Sequence, residues 1–180
     1  YSPYPPYEIL KTKDISYDEL LELKKVEEMV DKYYNSQKFN NIIKYLVKKF
    51  ETPFDFYFEL GNFFDKKGYF NRSINNNDYY KVFLEFNSEV LKEDNFYLKE
   101  LMRYDYLKVN KKRGIPEFLK NPMSKEEEVA IKERLRDKYS FKEHYVERFE
   151  ISIENFEKNG ELLVEPEYYV FGYNLNYEKI

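Results

Sequence analysis

The spacing of apolar residues changes once along this chain, near residue 140. Before that point, apolar side chains recur at steps of three and four residues, which is the period of an amphipathic helix. From His144 to Ile153 the spacing is close to every second residue, and the Val, Ile and Phe content suits a strand. We therefore predict an α+β fold, mostly α, in which helices come first and a small antiparallel β-sheet or hairpin follows.

Helix-start signals divide the first part of the chain. Ser16 and Glu19 have the spacing of a capping box, and Thr52 with Pro53 forms a second start, for which Gly68 supplies a stop. Because the connections between helices are short, we expect antiparallel neighbouring pairs. About six helices are predicted, over residues 16–34, 39–50, 53–67, 78–91, 95–109 and 124–139.

The last forty or so residues predict strands. Asn159-Gly160 is a strong turn signal, and Leu162 to Val164 and Glu167 to Tyr173 follow it. We interpret residues 16–180 as a single domain, helical over 16–139 and β-rich over 141–173. Residues 1–15 are predicted to be a connector.

Composition limits the chemistry. The chain has 180 residues, a net charge of −4 and no cysteine, which excludes disulfides and cysteine-ligated metals within it and fits a cytoplasmic protein. Neither a basic nucleic-acid surface nor a membrane-spanning run is visible. Twenty tyrosines and sixteen phenylalanines predict an aromatic core. An AT-rich genome is a simpler explanation of this aromatic content than an aromatic binding surface.

Few residues are candidates for chemistry. The single histidine, His144, has no nucleophile or orienting group near it in sequence, and a structural role at the start of a strand is the simpler interpretation. Arg103, Asp105 and Tyr106, with Arg113 in the following turn, are a candidate contact surface, because Arg pairs well with carboxylates and phosphates. The alternative is an aromatic core stripe edged by charges. On a helix, Arg103 and Asp105 lie on different faces and should not pair.

The first ten residues, YSPYPPYEIL, predict an extended connector. Each proline fixes its own φ and holds the residue before it extended, so Tyr4-Pro5-Pro6-Tyr7 should form a stiff strap along the helical domain. We expect this strap to arrive from an upstream domain, so that the chain starts in mid-protein.

Several stretches resemble a known family. They are YSPYPPYEIL, ISYDELLELKKVEEMVDKYYNSQKF, FETPFDFYFELGNFFDKKGYF, LMRYDYLKVNKKRGIPEFL and the final YYVFGYNLNY, of which YNSQKF and RYDYL are the most specific. Together they resemble the C-terminal domain of unknown function of cobalamin-binding radical S-adenosylmethionine proteins of anaerobic bacteria, often labelled Fe-S oxidoreductases.

The resemblance implies a parent enzyme with a cobalamin-binding domain followed by a radical-SAM barrel. It implies an iron–sulfur cluster, S-adenosylmethionine and cobalamin in that parent, held on residues that this chain does not contain. The implied partners are the upstream barrel and the cobalamin domain of the same protein. No catalytic, cofactor-binding or metal residue is assigned here.

Three hypotheses follow. The first is an accessory domain that caps the barrel or helps to bind substrate or a partner. The second is a stand-alone helical protein-interaction module. The third is an independent enzyme, for which His144, Arg103 and Asp105 would be the only actors.

Overall fold

The structure, a computed structural model, describes residues 15–110, 112–121, 123–174 and 176–180. Over these residues the chain forms seven α-helices and one three-stranded antiparallel sheet, which confirms the α+β, mostly helical prediction. The predicted strap lies outside the described residues. The helices are α1 (Tyr17–Met29), α2 (Asn40–Val47), α3 (Pro53–Lys66), α4 (Asn76–Phe86), α5 (Phe96–Val109), α6 (Lys125–Leu135) and α7 (Ile153–Asn159), and the strands are β1 (His144–Phe149), β2 (Glu167–Gly172) and β3 (Tyr177–Lys179).

Reciprocal side-chain caps fix the starts of α1 and α3. The Ser16 hydroxyl accepts from the Glu19 N–H while the Glu19 carboxylate accepts from the Ser16 N–H. Thr52 and Asp55 make the same pair of bonds, with Pro53 in the first helical position. Both predicted starts are confirmed, because these caps satisfy N–H groups that have no partner inside the helix.

A further capping box moves the start of α4. Asn75 and Asp78 cap each other, so the helix begins at Asn76, slightly before the predicted Asp78. Both α1 and α4 then continue into one turn of π-helix, over Val30–Tyr34 and Asn87–Leu91. With those turns included, α1 and α4 end where the sequence predicts.

Packing brings α1 onto α3 and α2 onto α5. A Cβ atom built at Gly61 would lie 3.3 Å from Cβ of Lys25, so α3 approaches α1 closely at this glycine. Consecutive helices from α2 to α5 also touch, as the prediction of neighbouring pairs requires. The closest association of α1, however, is with α3 and not with α2.

The sheet lies between two layers of side chains. Its order is β1-β2-β3, and Val146 faces Val170 across the first pair. Val146 and Val170 pack with Ile131 of α6 on one side of the sheet. Phe149 and Phe171, on the other side, belong to the main core, where both rings contact Tyr104 of α5. Strands β1 and β2 are therefore covered on both faces, whereas the three residues of β3 are exposed.

Helix α7 corrects the prediction for the C-terminal part. Asn159-Gly160 does not join two strands: Asn159 ends α7, and Gly160, at φ +73°, is its C-cap. A left-handed glycine serves equally in a hairpin turn or at a helix end, so the dipeptide was ambiguous. Residues Leu162 to Val164 form no strand, although the Leu163 carbonyl accepts a hydrogen bond from the Ser152 N–H.

Candidate functional site

Helix α5 runs through the middle of the domain and carries most of the residues singled out from the sequence. It has nine buried residues, among them Glu100, Arg103 and Asp105. Residues two apart on a helix point about 200° apart. Accordingly, Arg103 reaches β1 and Asp105 reaches α2, which confirms that the two side chains do not pair with each other.

Arg103 is the centre of a buried ion network. Its Nη2 donates to both oxygens of Glu100, at 3.2 and 2.9 Å, and to the Arg148 carbonyl at 2.6 Å. Its Nη1 donates to Oε2 of Glu147 at 3.1 Å and to the Asn121 carbonyl at 3.2 Å. The guanidinium also lies 4.4 Å from the centre of the Phe149 ring.

The network continues to the surface through Lys112, whose Nζ lies 2.6 Å from Oε1 of Glu147. Lys112, Glu147 and Arg103 line a cavity of about 450 Å³ between β1, α6 and the irregular segment after α5. The charges here already neutralise one another within the chain. The arrangement joins β1 to α5 and offers no nucleophile beside a base.

Asp105 acts as a cap for a helix in another part of the chain. Its carboxylate accepts from the Asn41 N–H at 2.8 Å, from Asn41 Nδ2 at 2.7 Å and from the Ile42 N–H at 3.1 Å. Phe39, which precedes α2, has no side chain able to do this. Burial raises the pKa of Asp105 to about 7, although the bonds from Asn41 and Ile42 favour the charged form.

Tyr106 is buried as well, and its hydroxyl donates to the Gly114 carbonyl. Arg113 lies in the short 3₁₀ helix Lys112–Gly114. Because Arg103, Asp105 and Tyr106 are at most 3 % exposed, they cannot form the predicted contact surface on the outside of the domain. This is a correction: their reach is towards other segments of the same chain.

Two partners of these residues were missed from the sequence, although signals for them existed. Glu100 precedes Arg103 by three residues, the spacing of a helical ion pair. Glu147 occupies a position of β1 that shares its face with Tyr145 and Phe149, both of which are buried. An acidic residue at an inward position of a strand requires a buried cation.

His144 keeps a structural position. Its Nδ1 lies 3.0 Å from the Ser140 carbonyl, and its ring packs against Tyr139 at 5.5 Å between centres. No group of three or more His, Asp or Glu side chains with metal-binding geometry occurs in the part of the chain that the structure describes. None of the helices described there is long and apolar enough to cross a membrane.

A second cavity is apolar. It measures about 740 Å³, opens between α1, α2 and α3, and is here called the α1–α3 groove. Its lining comprises Val26, Val30, Tyr34, Asn40, Ile43, Lys44, Val47, Lys48, Pro53, Phe54 and Tyr57.

The polar groups of the α1–α3 groove differ in how they are satisfied. Lys44 and Lys48 donate to carbonyls at the C-terminal end of α7, including those of Phe156 and Gly160. The Tyr57 hydroxyl is buried and has no hydrogen-bond partner among the described residues. Burial raises the pKa of Tyr57 to about 12, so the hydroxyl remains a donor without an acceptor.

An apolar hollow of about 450 Å³ adjoins the α1–α3 groove. Ile15, Leu23 and Phe58 line its apolar part together with Phe54, which also lines the groove, and the acidic residues Asp18, Glu19 and Glu22 border it. Phe54 and Tyr34 are about half exposed, at 49 % and 54 %. The two cavities therefore meet at Phe54, and Ile15, the first described residue, lines the hollow.

Comparison with known proteins gives one match. A family model described as "Protein of unknown function (DUF4080)" matches residues 1–171. No curated protein and no solved structure matches the chain.

Proposed function

We propose a function on the premise that the chain belongs to the DUF4080 family of proteins of unknown function. The proposed function is that of the C-terminal accessory domain of a cobalamin-binding radical-SAM enzyme. In this proposal the iron–sulfur cluster, S-adenosylmethionine and cobalamin are bound upstream. The domain caps the barrel or helps to bind the substrate or a partner.

One observation carries the accessory role. Arg103 and Asp105 belong to the most specific stretch of the resemblance, RYDYL, and both are engaged inside the domain. Arg103 holds Glu100 and Glu147, and Asp105 holds the start of α2. Residues used in this way maintain the shape of the domain.

The other specific stretch, YNSQKF, has a similar character. It covers the turn between the π-helical end of α1 and the start of α2. Gln37 has a left-handed backbone there, with φ +58°, and Phe39 is buried against Tyr33 and Tyr80. These residues therefore hold the α1–α2 turn in shape, which favours a structural role for this stretch over a reactive one.

A rigid cap is chemically useful to a radical enzyme, because radical intermediates must be protected from water and from side reactions. A cytoplasmic location fits this chemistry and the lack of cysteine, and it belongs to the same proposal.

The experiment is a cofactor analysis of the full parent protein, purified without oxygen. Iron, sulfide and bound cobalamin are quantified, and S-adenosylmethionine cleavage is measured after reduction. The proposal predicts a cluster, a corrinoid and cleavage. A parent protein that contains neither iron nor cobalamin would overturn it.

A further inference from the structure

The α1–α3 groove and the adjoining hollow leave an unusual amount of aromatic surface open on one side of the domain. Phe54 stacks on Phe58 with ring centres 6.0 Å apart, and Phe54 and Tyr34 border the opening. An open apolar surface of this kind marks a place where something binds. The question is which occupant fits it.

We propose that the α1–α3 groove seats the chain's own N-terminal segment, residues 1–14, with Tyr4-Pro5-Pro6-Tyr7 in the groove. The first reason is that the segment is continuous with a residue beside the groove. Ile15 follows this segment directly and lines the hollow that shares Phe54 with the groove. The segment thus leaves the described domain at the edge of the apolar surface.

The second reason is that the segment is long enough to cross the groove. In an extended polyproline conformation, the eight steps from Ile15 back to Tyr7 span about 25 Å. Crossing from α1 over α3 to α2 requires about two interhelical spacings, or roughly 20 Å. The segment is therefore long enough for Tyr4 to Tyr7 to reach the part of the groove lined by Val47.

The third reason is that a proline-rich segment suits an aromatic-lined groove. Proline-rich segments bind in aromatic-lined grooves because their extended conformation is already formed before binding. Tyr34, Phe54 and Tyr57 give the groove such a lining. A polyproline helix has no internal hydrogen bonds, so its carbonyls are free to accept from the buried Tyr57 hydroxyl, which lacks a partner among the described residues.

The family model matches residues 1–171, so the segment and the domain belong to the same family unit. This inference concerns only residues of this chain. It stands whether or not the parent is a radical-SAM enzyme.

The chain has no cysteine, so a pair of introduced cysteines reports on one contact alone. Pro5→Cys, Pro6→Cys and Tyr7→Cys are each combined with Val47→Cys in the full 180-residue chain. Intramolecular disulfide formation under mild oxidation is followed by mass spectrometry. The matched control carries the same segment cysteine with Val129→Cys, an exposed position on α6.

At least one groove pair should bridge about tenfold faster than its control, because seating raises the effective concentration of the two thiols. Adding Val30→Lys, which places a charge in the groove, should reduce the rate to that of the control while circular dichroism stays unchanged. Equal rates for all groove pairs and controls would overturn the proposal. So would disulfides formed mainly between two chains, which would make a second copy the occupant.

Discussion

Arg103 illustrates how a single buried charge organises this domain. It is 1 % exposed, and its donors reach two carboxylates and two backbone carbonyls from three separate segments. Its Nε has no hydrogen-bond partner among the described residues, but the carboxylates of Glu100 and Glu147 balance its charge, and a buried charge without such partners is strongly destabilising. Arg103 therefore determines where β1 and the segment around Asn121 lie on α5.

Replacing Arg103 should be among the most damaging single changes. Arg103→Ala leaves Glu100 and Glu147 buried without their cation, and we expect the free energy of unfolding to fall by about 3–5 kcal/mol. Urea unfolding measures this. Arg136→Ala is the control, since Arg136 is 77 % exposed, and it should change stability by less than about 0.5 kcal/mol. Similar losses for the two variants would contradict the role of the network.

Asp105 should make stability depend on pH. The folded pKa is about 7, against an ordinary value of 3.8. Between these values the folded chain holds a proton that the unfolded chain has released, so stability falls as pH rises. From pH 5 to pH 8 this contribution decreases by about 2–3 kcal/mol.

Asp105→Asn removes that titration. The amide keeps one acceptor oxygen for three donors, so the variant should be less stable at pH 5 by about 1–3 kcal/mol. It should also lose less stability than the parent chain between pH 5 and pH 8. Urea unfolding at both pH values checks this, with the fully exposed Asp137→Asn as control. An unchanged pH slope in Asp105→Asn would show that another group is responsible.

The sequence singled out Arg103 and Asp105 and left two interpretations open, a contact surface and a core stripe edged by charges, and their burial fits the core stripe. Their spacing on a helix predicted opposite faces, and that is correct. Their partners Glu147 and Asn41 lie 44 and 64 residues away in the chain, so local patterns could not reveal them. Burial of both residues depends on those distant contacts and was not predictable from α5 alone.

At the scale of elements, caps and periodicity were sufficient for the long helices. Reciprocal capping at Ser16 and Thr52 fixes two starts, and the left-handed Gly68 follows α3 as predicted. Helix α7 was missed because seven residues provide less than two full turns of pattern. Its neighbour β1 has alternating apolar residues that run on into Ile151 and Ile153, which concealed the boundary.

The contact between α1 and α3 depends on Gly61. A Cβ atom there would already be tight against Lys25, so Gly61→Leu should push the two helices apart and cost about 1–3 kcal/mol. Thermal unfolding measures the loss. Glu59→Leu adds the same side chain at an exposed position of the same helix and should have little effect. Equal melting temperatures for the two variants would contradict the close approach.

At the scale of the molecule, the helices and the sheet make a domain whose buried charged residues bond to other segments of the same chain, namely Glu100, Arg103, Asp105, Glu147 and Glu167. The apolar α1–α3 groove opens beside the exposed ring of Phe54, which it shares with the hollow that Ile15 lines. The sequence predicted the fold class but not the groove, because the groove requires three helices to be placed together, and the predicted strap lies outside the described residues.

The central claim is that this domain supports chemistry performed upstream. The most direct measurement compares the full parent with a parent that ends just before Tyr1, both loaded with cluster and cobalamin. S-adenosylmethionine cleavage and substrate product are measured in each. The account predicts that the shortened enzyme keeps its cofactors and still cleaves S-adenosylmethionine, but that its yield of substrate product per cleavage falls at least tenfold. Unchanged cleavage with an unchanged product yield and substrate range would contradict the account.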